Sequence, residues 1–228
     1  YRAEYEKLTA VIEKFFWDEE KGAYIDSFTS GRRNVTRHAN IFAILFSVAD
    51  EKKQEKILKN VLENDEIPAI TTPYFNFFEL DVLCRMGKLT EVLDKIRSYW
   101  GGMLDLGAVT FWEEYDPSVP KEEQYDMYGD HFGKSLCHAW AASPIYFLAK
   151  YFAGLDLVNK DGVTYILKPQ MQYFTELDCT LPVGSNGVVR LVWDGEILEI
   201  TPNADGGILE LGEQKLSLVR GETRRVKI

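Results

Sequence analysis

Two short stretches concentrate the residues able to do chemistry. The first runs from Trp100 to Pro117 and holds Thr110, Trp112, Glu113, Glu114, Tyr115 and Asp116 after glycines 101, 102 and 107. Carboxylates in such a loop suit proton transfer, because a carboxylate can take a proton from water or return one. Tryptophan and tyrosine beside them offer flat apolar surfaces, and a pyranose ring has an apolar face that stacks on such a surface. The second stretch is Ser135-Leu136-Cys137-His138-Ala139-Trp140-Ala141-Ala142-Ser143-Pro144. Its pattern predicts His138 in the first turn of an otherwise apolar helix, near the electropositive end. Each residue also has a plainer reading. Glu113 can be an ordinary loop carboxylate and Glu114 a solvated one. Trp112 and Trp140 can fill a core as well as line a pocket, and His138 can be a satisfied core histidine. His38 and His131 read as structural or surface residues, and Asp26 as a turn or cap residue.

Such groups need a rigid frame, and residues 1–155 read as helices. The first is expected over Arg2–Phe16, with Tyr5, Leu8, Ile12 and Phe15 or Phe16 at spacings of three and four. A second follows Thr36 to about Ala49, and a third spans about Glu51–Glu63. A fourth begins after Thr72-Pro73, where Thr72 can cap and Pro73 suits the first position, and Gly87 ends it. A fifth covers about Thr90–Trp100. A long loop to about Gly133 follows, then a sixth helix at about Ser135–Phe152. The second, fourth and sixth are apolar nearly all round; the first, third and fifth are amphipathic. Concentric rings require this alternation, with inner helices covered by outer ones. An ordinary helical solenoid would show something similar.

After Gly154 the character changes. Short β-branched runs at 163–167, 175–181, 187–193, 197–201, 207–211 and 216–218 are separated by Gly, Asn, Asp and Pro. The expected architecture is therefore mainly α with a β tail. A partial (α/α) six-hairpin toroid of three hairpins covers 1–155, and a small antiparallel β-sandwich covers 156–228.

The formal net charge of −10 argues against nucleic acid and anionic membrane as partners, since both demand a basic surface. No stretch reaches the length of a membrane span. The three cysteines, Cys84, Cys137 and Cys179, lack metal spacing and are expected as buried free thiols. The acidic residues show no ligand spacing, so neither metal nor cofactor is expected. Asn34-Val35-Thr36 fits a glycosylation sequon, a triplet common by chance. The opening at Tyr1, without Met or a signal-peptide pattern, reads as a processed or excised segment.

The run Gly107–Asp116 followed by Ser135–Pro144 resembles the α-L-rhamnosidases of glycoside hydrolase family 78. Their pattern is a Gly-Ala-x-Thr-x-Trp-Glu loop and then a His-x-Trp-x-x-x-Pro helix. The Thr72-Pro73-Tyr74-Phe75 opening, the Trp17-Asp18…Gly22-x-Tyr24-x-Asp26 start and the β tail are similar too. The resemblance implies an inverting hydrolase of terminal α-L-rhamnose, with a carbohydrate as its partner. Glu113 would be the general base, His138 would bond sugar hydroxyls, and Trp112, Trp140 and Tyr74 would contribute to the sugar pocket. Nothing in the chain matches the family's general-acid motif, so the chain alone is expected to be inactive. A partial toroid is also expected to expose apolar edges and to self-associate. The alternatives are a six-hairpin glycosidase of other specificity, a catalytically dead carbohydrate-binding relative, and a helical interaction scaffold.

Overall fold

The computed structural model describes residues 1–160, 163–185 and 187–228. By packing, the chain forms two compact units, Tyr1–Ser143 and Pro144–Ile228.

The first unit begins with α1 (Arg2–Phe16), which has no buried residue. Tyr5, Leu8, Val11 and Phe15 on this amphipathic helix remain exposed. Strands β1 (Trp17–Asp18) and β2 (Ala23–Tyr24) form a two-residue antiparallel pair. Helix α2 (Arg37–Leu45) starts at Thr36, whose side chain accepts a hydrogen bond from the Ala39 N–H. The sequon threonine thus serves as a helix cap. Helix α3 (Glu51–Ile57) widens into a π-helical turn at Leu58–Leu62. Helix α4 (Pro73–Arg85) starts with proline at its first position, although Thr72 makes no side-chain cap bond. It stops at Gly87, whose φ of 74° is a left-handed conformation open to glycine. Helix α5 (Leu89–Lys95) also widens, at Ile96–Trp100, and runs on into α6 (Gly101–Asp105).

The expected loop therefore starts five residues late. Gly101 and Gly102 are helical, and Tyr115 packs so closely over Gly102 that a Cβ there would come within 2.3 Å of the phenol oxygen.

The inner–outer alternation is present. Helix α4 buries Leu80, Val82, Leu83 and Cys84, while α3 and α5 bury single faces through Ile57, Val92 and Leu93. The inner helices are not purely apolar, however. Glu79 on α4 is buried with Arg37 on α2, and Arg37 Nη1 reaches Glu79 Oε1 at 3.1 Å. Lys95 of α5 pairs with the same carboxylate. Arg37 also donates to the carbonyls of Leu62 at 2.9 Å and Asn64 at 3.3 Å. One ion cluster thus ties two inner helices, an outer helix and the loop after α3.

The second unit starts inside α7 (Ser143–Phe147), at Pro144, and goes on through its π-helical continuation Leu148–Phe152. The predicted helix from Ser135 is shorter than expected. Residues 139–141 make a single 3₁₀ turn, and the regular helix waits for Ser143. Pro144 explains this, since a proline is tolerated in a first helical turn and not further in. Two four-stranded sheets follow, in the orders β10-β7-β6-β5 and β3-β4-β8-β9. Their strands are β3 (Leu155–Lys160), β4 (Val163–Leu167), β5 (Leu177–Pro182), β6 (Val188–Trp193), β7 (Ile197–Pro202), β8 (Gly207–Leu211), β9 (Gln214–Leu218) and β10 (Arg224–Lys227). Alternate residues point inward, and Leu191, Ile200 and Leu198 of one sheet share a core with Tyr165, Leu167 and Leu209 of the other. All pairings are antiparallel except β4 with β8, which is parallel. Ala149 and Ala153 pack on this core, so the last helix belongs with the strands.

Cys84 is buried, Cys179 is partly buried, and Cys137, contrary to expectation, is exposed. Cys137 and its neighbours lie outside any helix, where a helix was predicted. No described helix is long and apolar enough to cross a membrane.

Candidate functional site

Glu113 lies at a bend in a loop segment held from two sides. Its N–H donates to the Ser135 carbonyl at 2.9 Å, and the His138 N–H donates to the Phe111 carbonyl at 2.8 Å. Thr110 Oγ1 bonds the Leu136 carbonyl. On the other side, the Tyr115 N–H donates to the Thr71 carbonyl at 3.0 Å, and Thr71 Oγ1 donates to Glu114 at 2.7 Å. Helix α6 brings the chain into position, and the Tyr115 ring over Gly102 sets its exit.

Glu113 lines a cleft of about 580 Å³ together with Thr72, Tyr74, Phe75, His38, Tyr128 and Trp140, among others. Trp112 faces the other way. It is 3% exposed, lies against Tyr125 with ring centroids 5.6 Å apart, and lines no part of this cleft. Trp112, expected in the sugar pocket, thus has its ring in the core and is not among the residues that line this cleft.

The other expected residues converge. His138 Nδ1 stands 3.9 Å from Glu113 Oε2, close enough for charge to be felt and too far for a hydrogen bond. His138 also packs on Trp140, with ring centroids 4.4 Å apart. Trp140 meets Tyr74 at 5.0 Å. Both aromatics are largely exposed, 52% and 41%, and present apolar ring surface beside a carboxylate that is only 14% exposed. Tyr74 sits in the first turn of α4 and His38 in the first turn of α2, so the cleft lies at the N-terminal ends of both inner helices. His138 itself is extended, one residue ahead of the 3₁₀ turn, and not inside a helix as expected.

Two cleft residues escaped the sequence reading. Tyr128 donates its hydroxyl to Glu113 Oε1 at 3.1 Å, while the Ser135 N–H donates to Oε2 at the same distance. Tyr128 has a φ of 55°, an uncommon conformation for a bulky residue, in the tight Met127–Asp130 turn. The hydrogen bond to Glu113, and then its charge, raise the Tyr128 pKa. His38 packs edge-on against Phe75 at 4.5 Å. It keeps one edge in solvent, yet desolvation of the rest of the ring lowers its pKa against a weaker pull from Glu79.

Among the described residues lining this cleft, Glu113 is the sole carboxylate. Among the described residues no group of three or more His, Cys, Asp or Glu gathers as a metal site.

Solved structures similar to the chain include the GH78 family rhamnosidase of Bacillus sp. GL1, at 26% identity and a TM-score of 0.70, over 90% of this chain and 22% of that one. The α-L-rhamnosidase from Dictyoglumus thermophilum shares the fold, at 20% identity and a TM-score of 0.62, over 92% of this chain and 23% of the other. The chain thus spans less than a quarter of the length of these relatives. A search of curated proteins found no significant match. The family model for the bacterial alpha-L-rhamnosidase six-hairpin glycosidase domain matches residues 1–152, and the chain belongs to that family.

Proposed function

We propose that the chain carries one half of an inverting α-L-rhamnoside-hydrolysing site, with Glu113 as the general base. Trp140 and Tyr74 form the stacking floor, and His138 bonds sugar hydroxyls. The observation that supports this is a partly shielded carboxylate that shares a cleft at the ends of the inner helices with an exposed aromatic pair, with the His138 imidazole 3.9 Å from that carboxylate.

In the reaction, Glu113 accepts a proton from a water molecule as the water oxygen bonds to the anomeric carbon. The bond from that carbon to the glycosidic oxygen breaks, and a general acid supplies the proton that the leaving oxygen takes. Inversion needs two carboxyl groups roughly 6.5–9.5 Å apart, so that the water fits between them. The cleft offers one, and the chain alone is accordingly proposed to bind the sugar without turning it over. As a functional division we propose a catalytic-domain part at 1–155 and a β domain at 156–228.

The test combines a chromogenic α-L-rhamnoside assay with saturation-transfer NMR on L-rhamnose. The expected result is binding without turnover, with binding weakened by Trp140→Ala. Turnover by the chain alone would overturn the one-carboxylate argument. Binding insensitive to Trp140 would overturn the assigned site.

A further inference from the structure

Tyr128 occupies a backbone position that resists a tyrosine. Tyr128 and Gly129 have left-handed φ of 55° and 82°, and Met127 and Asp130 donate N–H bonds to each other's carbonyls at 3.0 and 2.9 Å. This is a two-residue hairpin turn with both central residues left-handed. Asn-Gly and Asp-Gly favour that geometry, and a bulky side chain in the first place is strained. Burial does not offset the strain, because Tyr128 is 82% exposed. The turn is nonetheless held firmly. The Gly133 N–H donates to the Asp130 carbonyl and the Lys134 N–H to the Tyr125 carbonyl, both at 3.2 Å. His131 Nδ1 lies 2.5 Å from Asp126 Oδ1. Gly133 packs so closely on the turn that a Cβ there would come within 2.2 Å of the Met127 carbonyl oxygen.

What the strained position achieves is a contact. The phenol donates to Glu113 Oε1 and the Ser135 N–H to Oε2, so each carboxylate oxygen has one donor. The last torsion of a glutamate is otherwise broad. One donor on each oxygen narrows it and leaves lone pairs free for a further partner. His138 Nδ1, at 3.9 Å from Oε2, is too far to add a third bond.

We propose that Tyr128 is a positioning residue for Glu113, and that its hydroxyl fixes the carboxylate plane so that a free lone pair meets the water attacking the anomeric carbon. The inference rests on the glycosidase reading of Glu113. Inversion at an α-L-rhamnoside leaves the oxygen of that water as the β hydroxyl of the released sugar, and the proton the water loses goes to Glu113. An ionised Glu113 held by Tyr128 therefore accepts a hydrogen bond from the β hydroxyl of free L-rhamnose and not from the α one. The chain should accordingly select the β anomer.

The test is a saturation-transfer NMR titration with L-rhamnose, whose anomers coexist in water and give separate anomeric signals. It compares the chain with Tyr128→Phe, which keeps the ring and loses the hydroxyl, and with Tyr128→Asn, which suits the turn. The parent should bind the β anomer at least about tenfold more tightly than the α, the worth of one hydrogen bond to a charged group. Both variants should bring that preference below about threefold, while residues 138–140 still respond to the sugar. Tyr128→Asn should also unfold at a higher urea concentration than the parent, because asparagine tolerates the left-handed turn. An anomer preference unchanged in Tyr128→Phe would overturn the proposal. So would a lower urea midpoint in Tyr128→Asn, which would make the tyrosine a structural residue. L-Rhamnose bound by the parent without anomer preference sinks the positioning role and leaves the sugar site standing. No L-rhamnose binding by the parent ends the glycosidase reading of the cleft, and the positioning role with it.

Discussion

The substitution Glu79→Ala removes the anion from a buried cluster of two cations. The side chains of Glu79, Arg37 and Lys95 are 3%, 8% and 20% exposed. Without Glu79, the Leu62 and Asn64 carbonyls still accept from Arg37, but its charge stays buried and uncompensated. Removing one partner of a buried ion pair costs roughly 3–5 kcal/mol. Lys95 softens the loss: burial already lowers its pKa, with the Glu79 charge opposing, so an ammonium without Glu79 can shed its proton. A guanidinium has no such escape. The expected cost is therefore in the lower part of that range, about 3–4 kcal/mol. With a urea slope of about 1–3 kcal/mol/M, the midpoint of the helical unit should fall by about 1 M or more. Circular dichroism and tryptophan fluorescence would follow it, and the strand-rich unit, which lacks the cluster, serves as internal control. A fall of less than about 0.3 M would equate the cluster with a surface ion pair and refute the reasoning.

Three further outcomes are expected. In Glu113→Gln, loss of the acceptor and its charge should lower the Tyr128 ionisation midpoint toward the ordinary 10.0, as read by ultraviolet titration; an unchanged midpoint would mean that the contact is not formed in solution. Asp18 is held below its ordinary 3.8, first by the Lys21 N–H and then by Arg33, so its contribution to stability is complete above 3.8 and disappears as pH falls through the lower folded value. Thermal melts across the acid range should show that loss in the parent and not in Asp18→Asn, and parallel losses would contradict it. The exposed apolar side of α1 should drive self-association in sedimentation velocity, relieved by Leu8→Glu/Val11→Glu; a monomer at every concentration would count against it.

Much of the frame was legible because hydrophobic period reports burial directly. The bounds of α1, the proline start of α4 and the strands β4, β6 and β8 follow from spacing and turn residues. Strands β3 and β10 were missed because the polar runs Leu-Asp-Leu-Val-Asn-Lys and Arg-Arg-Val-Lys lack the alternation of a half-buried strand, and both lie at sheet edges. The parallel β4–β8 pairing is set by a crossover that no local pattern encodes.

In the site, Glu113, Trp140, His138 and Tyr74 could be picked out by type, yet their faces could not. Only the folded loop shows that Glu113 meets the cleft and Trp112 the core. Tyr128 reaches Glu113 only because a strained turn between them folds back, fifteen residues along the chain. The Arg37–Glu79–Lys95 cluster was hidden for a similar reason, since charges on three helices carry no mark that they will meet.

The most direct test of the central claim is a crystal structure of the chain with L-rhamnose bound. The account predicts the apolar face of the sugar against Trp140 and Tyr74, a hydroxyl within hydrogen-bond reach of His138, and a water within about 3 Å of Glu113 on the side of the anomeric carbon. A sugar seated elsewhere, or a Glu113 carboxylate turned away from that water, would contradict it.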